Sequence, residues 1–211
     1  WSSDVCSSDR LVLDKPDSNQ TQIVIGQPGV ARNHPDYVAL SVANQIFGGS
    51  FNSRLMTEIR TKRGLTYSTA SVVRFRKETG LFLAYAQTRD DAAAFTLKLM
   101  VDNINEMKMK EVTHDELTWM RLSIENSYIF EFDTPRNILG KYLFLDYYDL
   151  TESYLSTYLE KIRAVSARSI MQSAKNLFDK GVVKVVVGKK DLETKLSEQG
   201  EVVMYVKASS L

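Results

Sequence analysis

Two β-rich runs lie almost back to back in the middle of the chain, and they restrict the fold more than any other feature. "YSTASVVRFR" and "GLFLAYAQT" are crowded with β-branched and aromatic residues, and "KETG" between them carries turn chemistry. They predict an antiparallel hairpin. A lone hairpin is marginal in water, so other elements must cover one of its faces. The flanking sequence supplies both strands and helices for that purpose.

Upstream, "DKPDSNQ" is polar turn material, and "TQIVIG" reads as a strand ended by Gly26, Pro28 and Gly29. "HPDYVALSVANQIF" predicts an amphipathic helix with Pro35 near its first position and Val38, Val42 and Ile46 facing inward. After Gly48-Gly49 comes a shorter helix, with Leu55 and Ile59 one turn apart and Arg60 and Arg63 on its outer face. Downstream, Asp90 and Asp91 can cap a long helix whose inner residues are Leu97, Val101, Ile104 and Met107. Thr113 and Glu116 form a capping-box pair ahead of Leu117, Met120 and Ile124. Thr134-Pro135 starts another helix, one more lies near 153–162, and another runs from Ser166 with Ile170, Ala174 and Leu177 inward. "VVKVVVG" suits a buried strand, "DLETKLSEQG" a short helix and "EVVMYV" a last strand. Strands at both ends around a helical middle give an α+β fold: a two-layer sandwich of a mixed, mainly antiparallel sheet packed with several helices.

The 211 residues are read as one domain over 11–211. Residues 1–10, "WSSDVCSSDR", have no periodicity and are set aside as a non-native or disordered tail. With Trp rather than Met as its first residue, the chain is read as a fragment or processed product. Lys plus Arg is 27 against 26 for Asp plus Glu, which argues against a dedicated nucleic-acid binder. The charge is uneven, however. Arg54, Arg60, Lys62, Arg63, Arg74, Arg76 and Lys77 face only Glu58 and Glu78 over the same stretch. No apolar run is long enough to span a bilayer.

A metal centre has few ligands to draw on. Cys6 is the lone cysteine, and His34 and His114 stand far apart with no second His within a turn. Both histidines read as solvated polar residues. There is no G-x-S-x-G elbow, and "GGS" lacks the spacing and Lys of a phosphate loop. Gly48 and Gly49 read as a flexible loop or tight turn. The aromatic series Tyr142, Phe144, Tyr147, Tyr148, Tyr154 and Tyr158 reads as packing between helices. Arg60 and Tyr67, taken alone, read as a solvated helix residue and a sheet residue.

A resemblance changes the weight on that pair. "FGG" followed by "SRLMTEIRTKRGLTY", with "DKPDSNQTQIVIG", "HPDYVALSVANQIFGG" and "VTHDEL", resembles the C-terminal, non-zinc-binding half of the insulinase, pitrilysin and mitochondrial processing peptidase superfamily. These are metallopeptidases with an inverted His-x-x-Glu-His motif. The likeness covers nearly everything from Leu11 onward. It implies a substrate-holding domain or subunit of a zinc metalloendopeptidase, with Arg60 and Tyr67 contacting the substrate backbone and its transition state. His-x-x-Glu-His is absent, so the resemblance implies no cofactor on this chain. By the same resemblance, zinc is expected on a homologous zinc-motif domain or subunit, and this chain is not expected to be active alone. It further implies a peptide or unfolded polypeptide as substrate, and the bacterial periplasm or cell envelope as location. The superfamily also contains catalytically inactive, core-type structural subunits, which is the alternative reading.

Overall fold

The computed structural model describes residues 10–189, 192–197 and 203–207. The strands are β1 (Arg10–Asp14), β2 (Thr21–Pro28), β3 (Thr66–Arg74), β4 (Leu81–Thr88), β5 (Val183–Gly188) and β6 (Val203–Lys207). They form one six-stranded sheet in the order β3-β4-β2-β5-β1-β6. The pairings β3–β4, β4–β2 and β2–β5 are antiparallel, whereas β5–β1 and β1–β6 are parallel. The helices are α1 (Tyr37–Asn44), α2 (Ala93–Met109), α3 (His114–Tyr128), α4 (Pro135–Tyr147), α5 (Ser153–Ala164), α6 (Ala167–Phe178) and α7 (Leu192–Ser197). This is the expected α+β architecture.

Period-two patterning decides which face of the sheet is covered. Thr21, Ile23, Ile25 and Gln27 of β2 and Phe82, Ala84, Ala86 and Thr88 of β4 are buried, and the residues between them are more exposed. The ladder registers Ile23 with Ala86 and Ile25 with Ala84, so these side chains share one face. α1, α2 and α6 pack there: Val42, Leu97, Met100, Ile104, Ile170 and Ala174 are all buried with the strands in one core. Phe82 lies at its centre, with its ring 4.8 Å from that of Phe178 in an edge-to-face contact.

Local chemistry explains the helix starts. Thr113 and Glu116 complete a reciprocal capping box for α3, Thr134 accepts from the Asn137 N–H before Pro135, and Ser166 pairs with Ser169 ahead of α6. Asp90 and Asp91, in contrast, do not cap α2. They sit in a 3-10 turn, Asp90–Ala92, and Asp90 accepts from Thr21 Oγ1 at 2.8 Å and pairs with Lys189.

Other differences from the sequence reading are also physical. β1 was not expected. It begins at Arg10, the last residue assigned to the tail; the other nine residues of that segment lie outside the described residues. The hairpin is present, but its connection is longer than "KETG". Phe75 and Arg76 leave the ladder, Arg76 bridges to Ala31, and the Gly29 N–H donates to Gly80 O. Of the aromatic series, Tyr154 and Tyr158 pack between elements, whereas Tyr142 and Tyr147 are more than half exposed.

Candidate functional site

The Arg-rich stretch builds two consecutive wide turns. α1 runs directly into a π-helical turn, Gln45–Gly49, and a second one covers Met56–Thr61. Such widened turns are uncommon and concentrate at functional sites. The first lies close to β3. A Cβ on Gly48 would stand 2.6 Å from Ser71 Oγ and 2.9 Å from Leu55 Cδ1, so only glycine fits. Ser71 Oγ donates to Asn44 Oδ1 at 2.7 Å and fastens the turn to the sheet. Gly48 is therefore buried in a close contact, and Gly49 beside it is exposed.

Leu55 and Ile59 are fully buried and anchor the second turn as expected. Its cations divide sharply. Arg54 reaches across to Glu116 and donates to both carboxylate oxygens, at 2.6 and 2.8 Å. The partner lies 62 positions away in the chain, so the bridge exists only in the folded protein. Burial works to raise the Glu116 carboxyl, but the Arg54 and Thr113 hydrogen bonds outweigh it and hold Glu116 below the usual carboxylate range. Lys62 and Arg63 both pair with Glu58. Their hydrogen bonds, Lys62 first, keep the Glu58 carboxyl low as well.

Arg60 is treated differently by the fold. Among the described residues it has no carboxylate partner, and its guanidinium lies 5.3 Å from the ring centroid of Phe51, which is 73% exposed. Gly64 follows at φ +60°, in the left-handed region. Its N–H donates to Arg60 O and the Leu65 N–H donates to Ile59 O, closing the turn. Tyr67 comes three residues later. The β3–β4 register slips between Thr66 and Ser68, so Tyr67 is the extra residue of a β-bulge. Thr66 Oγ1 sustains the bulge by accepting from the Ser68 N–H at 3.0 Å and donating to backbone carbonyls. Bulges re-aim side chains, and this one leaves Tyr67 87% exposed. Arg60 and Tyr67 thus stand at the two ends of one closed turn, with no hydrogen bond between them. The sequence reading passed over Phe51, whose signal was an aromatic residue placed directly after a glycine-rich turn.

The remaining candidates have structural partners. His34 Nδ1 accepts from the Asp36 N–H, and His114 lies 3.4 Å from Thr118 Oγ1. Among the described residues no three His, Cys, Asp or Glu side chains gather as a metal site, and no helix is long and apolar enough to cross a membrane.

The Arg54–Glu116 bridge carries a pH prediction. A carboxyl with a lowered folded-state pKa contributes stability above its ordinary value near 4.5, and that contribution disappears as pH falls through the lowered value. Arg54→Met is expected to cost about 1–2 kcal/mol at pH 7, because the pair is partly solvent-screened. Urea titrations at pH 7 and pH 3 check this: the gap between wild type and variant is large at pH 7 and shrinks at pH 3.

Residues 5–121 match the family model described as the peptidase M16 inactive domain. An uncharacterized zinc protease of Streptomyces coelicolor is 34% identical over 113 residues, which cover 54% of this chain and 25% of that protein. A probable inactive metalloprotease of Bacillus subtilis is 23% identical over 167 residues, covering 79% of this chain and 38% of that protein. The crystal structure of a peptidase M16 inactive domain from Pseudomonas fluorescens superposes with a TM-score of 0.80 at 30% identity, covering 87% of this chain and 44% of that one. The chain spans about a quarter to two fifths of these two curated relatives. Since the family model covers more than half of the sequence, this chain belongs to the peptidase M16 inactive-domain family.

Proposed function

We propose that this chain is the substrate-holding, non-zinc part of a zinc metallopeptidase. The observation that carries the reading is the pairing of Arg60, a guanidinium with no acidic partner among the described residues, with Tyr67, a phenol thrown outward by a bulge at the end of the same closed turn. Every other basic group of that turn is engaged with an acid. Arg offers a planar fork of donors that stays charged, and Tyr offers one donor on a rigid ring. Both can donate to the carbonyl beside a scissile bond. Donors aligned best with the developing oxyanion stabilise the transition state more than the bound substrate. They read the backbone rather than side chains, so little sequence selectivity follows.

On this reading the zinc, its ligands and the catalytic carboxylate belong to a homologous domain or subunit. α4 supports the pairing. Leu145 is its one buried residue, whereas Ile138, Leu139, Tyr142 and Leu143 are 41–60% exposed along one stripe. An exposed apolar stripe of this kind fits a surface that another domain covers.

Co-expression with a zinc-motif domain of the same family, followed by size-exclusion chromatography with light scattering, tests the assembly. A stable complex is expected, weakened at least tenfold by Leu143→Asp with the thermal midpoint of the chain unchanged. Separate elution of the two proteins at all concentrations would count against it.

A further inference from the structure

A second polar site lies at the opposite end of β3 from Tyr67. From Tyr67 to Arg74 the strand carries the chain roughly 23 Å from the bulge. There the Arg32 N–H donates to Arg76 O at 2.8 Å, which fixes Arg32 beside the hairpin connection. Its guanidinium sits 4.0 Å from the ring centroid of Tyr37 and 4.5 Å from that of Phe144. Nη2 donates to the Tyr154 hydroxyl at 2.7 Å. Nε is buried and has no acceptor, and among the described residues no carboxylate pairs with Arg32.

This is an incomplete environment for a guanidinium. Aromatic faces attract the cation but accept nothing from its in-plane N–H groups, and the Tyr154 hydroxyl takes only one of them. A donor left buried and unpaired is destabilising, and more so when it is charged. Arg32 lines a cavity of about 160 Å³ together with Tyr37, Phe144, Tyr154 and Tyr158. Glu131 and Lys141 reach the same cavity but are ion-paired with each other. The Tyr158 hydroxyl makes no hydrogen bond among the described residues. Burial pushes the phenols of Tyr154 and Tyr158 upward, so both stay protonated at working pH.

We propose that this cavity binds a carboxylate carried on one small apolar or aromatic group. A carboxylate is planar and matches an Arg fork with two parallel hydrogen bonds. Glu131 in the lining disfavours a dianion such as phosphate. The rings suit an apolar body, and the volume is close to the ~150 Å³ that accommodates benzene in an engineered cavity. The source assigned is the C-terminal residue of a peptide. That assignment, unlike the chemistry of the cavity, rests on the peptide-handling role proposed for Arg60 and Tyr67. The site would then hold one end of a peptide far from the bond being cut.

The test is an amide-resolved NMR titration of the isolated chain with N-acetyl-phenylalanine, with its C-terminal amide, and with benzoate. It involves no peptide cleavage, so its outcome is independent of whether the assembled enzyme works. The acid is expected to give saturating shifts at Arg32, Tyr37 and Leu155, the amide to bind at least tenfold more weakly, and Arg32→Gln to abolish saturation. Arg32→Lys, which keeps charge and stem, is expected to weaken binding of the acid by losing the fork. Equal binding of acid and amide in the wild type would overturn the proposal even if the variants fail to fold. No saturation by any of the three would also overturn it. Saturation by benzoate alone would overturn the peptide source.

Discussion

Tyr67→Phe, in an assembly with a zinc-motif partner, is expected to lower kcat/KM by about 10²–10³, the loss seen when one oxyanion-type donor is removed. The substitution takes away a single hydroxyl on a side chain that is 87% exposed, so folding and assembly should be unaffected. Arg60→Lys keeps the charge and loses the fork, and should also be costly. Lys62→Ala is the control. Its ammonium pairs with Glu58 at the exposed surface, and removing it should leave the rate within twofold. Steady-state cleavage of an unstructured peptide by all three variants reads these effects directly. A fall in kcat with KM unchanged points to a contact made in the transition state, whereas a rise in KM alone points to uniform substrate binding.

The largest stability effect is expected at Phe82. This side chain is 1% exposed, meets Phe178 edge-on and lies 6.0 Å from the ring of Phe47. Phe82→Ala opens a cavity where β4, α6 and the end of α1 converge, at a cost of about 3–5 kcal/mol. For a chain of this size that lowers Tm by roughly 10 °C. Phe51→Ala is the matched comparison. Phe51 is 73% exposed, so its removal should move Tm by no more than about 1 °C. Differential scanning calorimetry of both variants separates the two environments.

The hairpin, the capping box at Thr113, the helix start at Ser166 and the inward residues of α6 were legible in the sequence because each is encoded within a few residues of itself. β1 was not. Leu11, Val12 and Leu13 form too short a run to mark a strand, and their pairing is with residues near 184 and 204. Parallel partners so distant in sequence leave no local trace. The Arg54 bridge was hidden for the same reason. The spacing of Arg60 and Tyr67 could be read, but their environment could not. The bulge depends on how the Thr66 hydroxyl competes for the backbone of Ser68 and Gln87, and only the folded turn gives Glu58 to Lys62 and Arg63. The rings around Arg32 come from α1, the hairpin connection, α4 and α5, a grouping that only the fold creates.

Addition of this chain to a zinc-motif partner, with peptide cleavage followed by mass spectrometry, tests the central claim most directly. The partner alone should carry the zinc and cleave slowly. Wild-type chain should raise the rate by at least a hundredfold, and a chain carrying both Arg60→Gln and Tyr67→Phe should bind the partner equally well without raising it. Equal stimulation by the double variant, or peptide cleavage by this chain alone with stoichiometric zinc, would contradict the account.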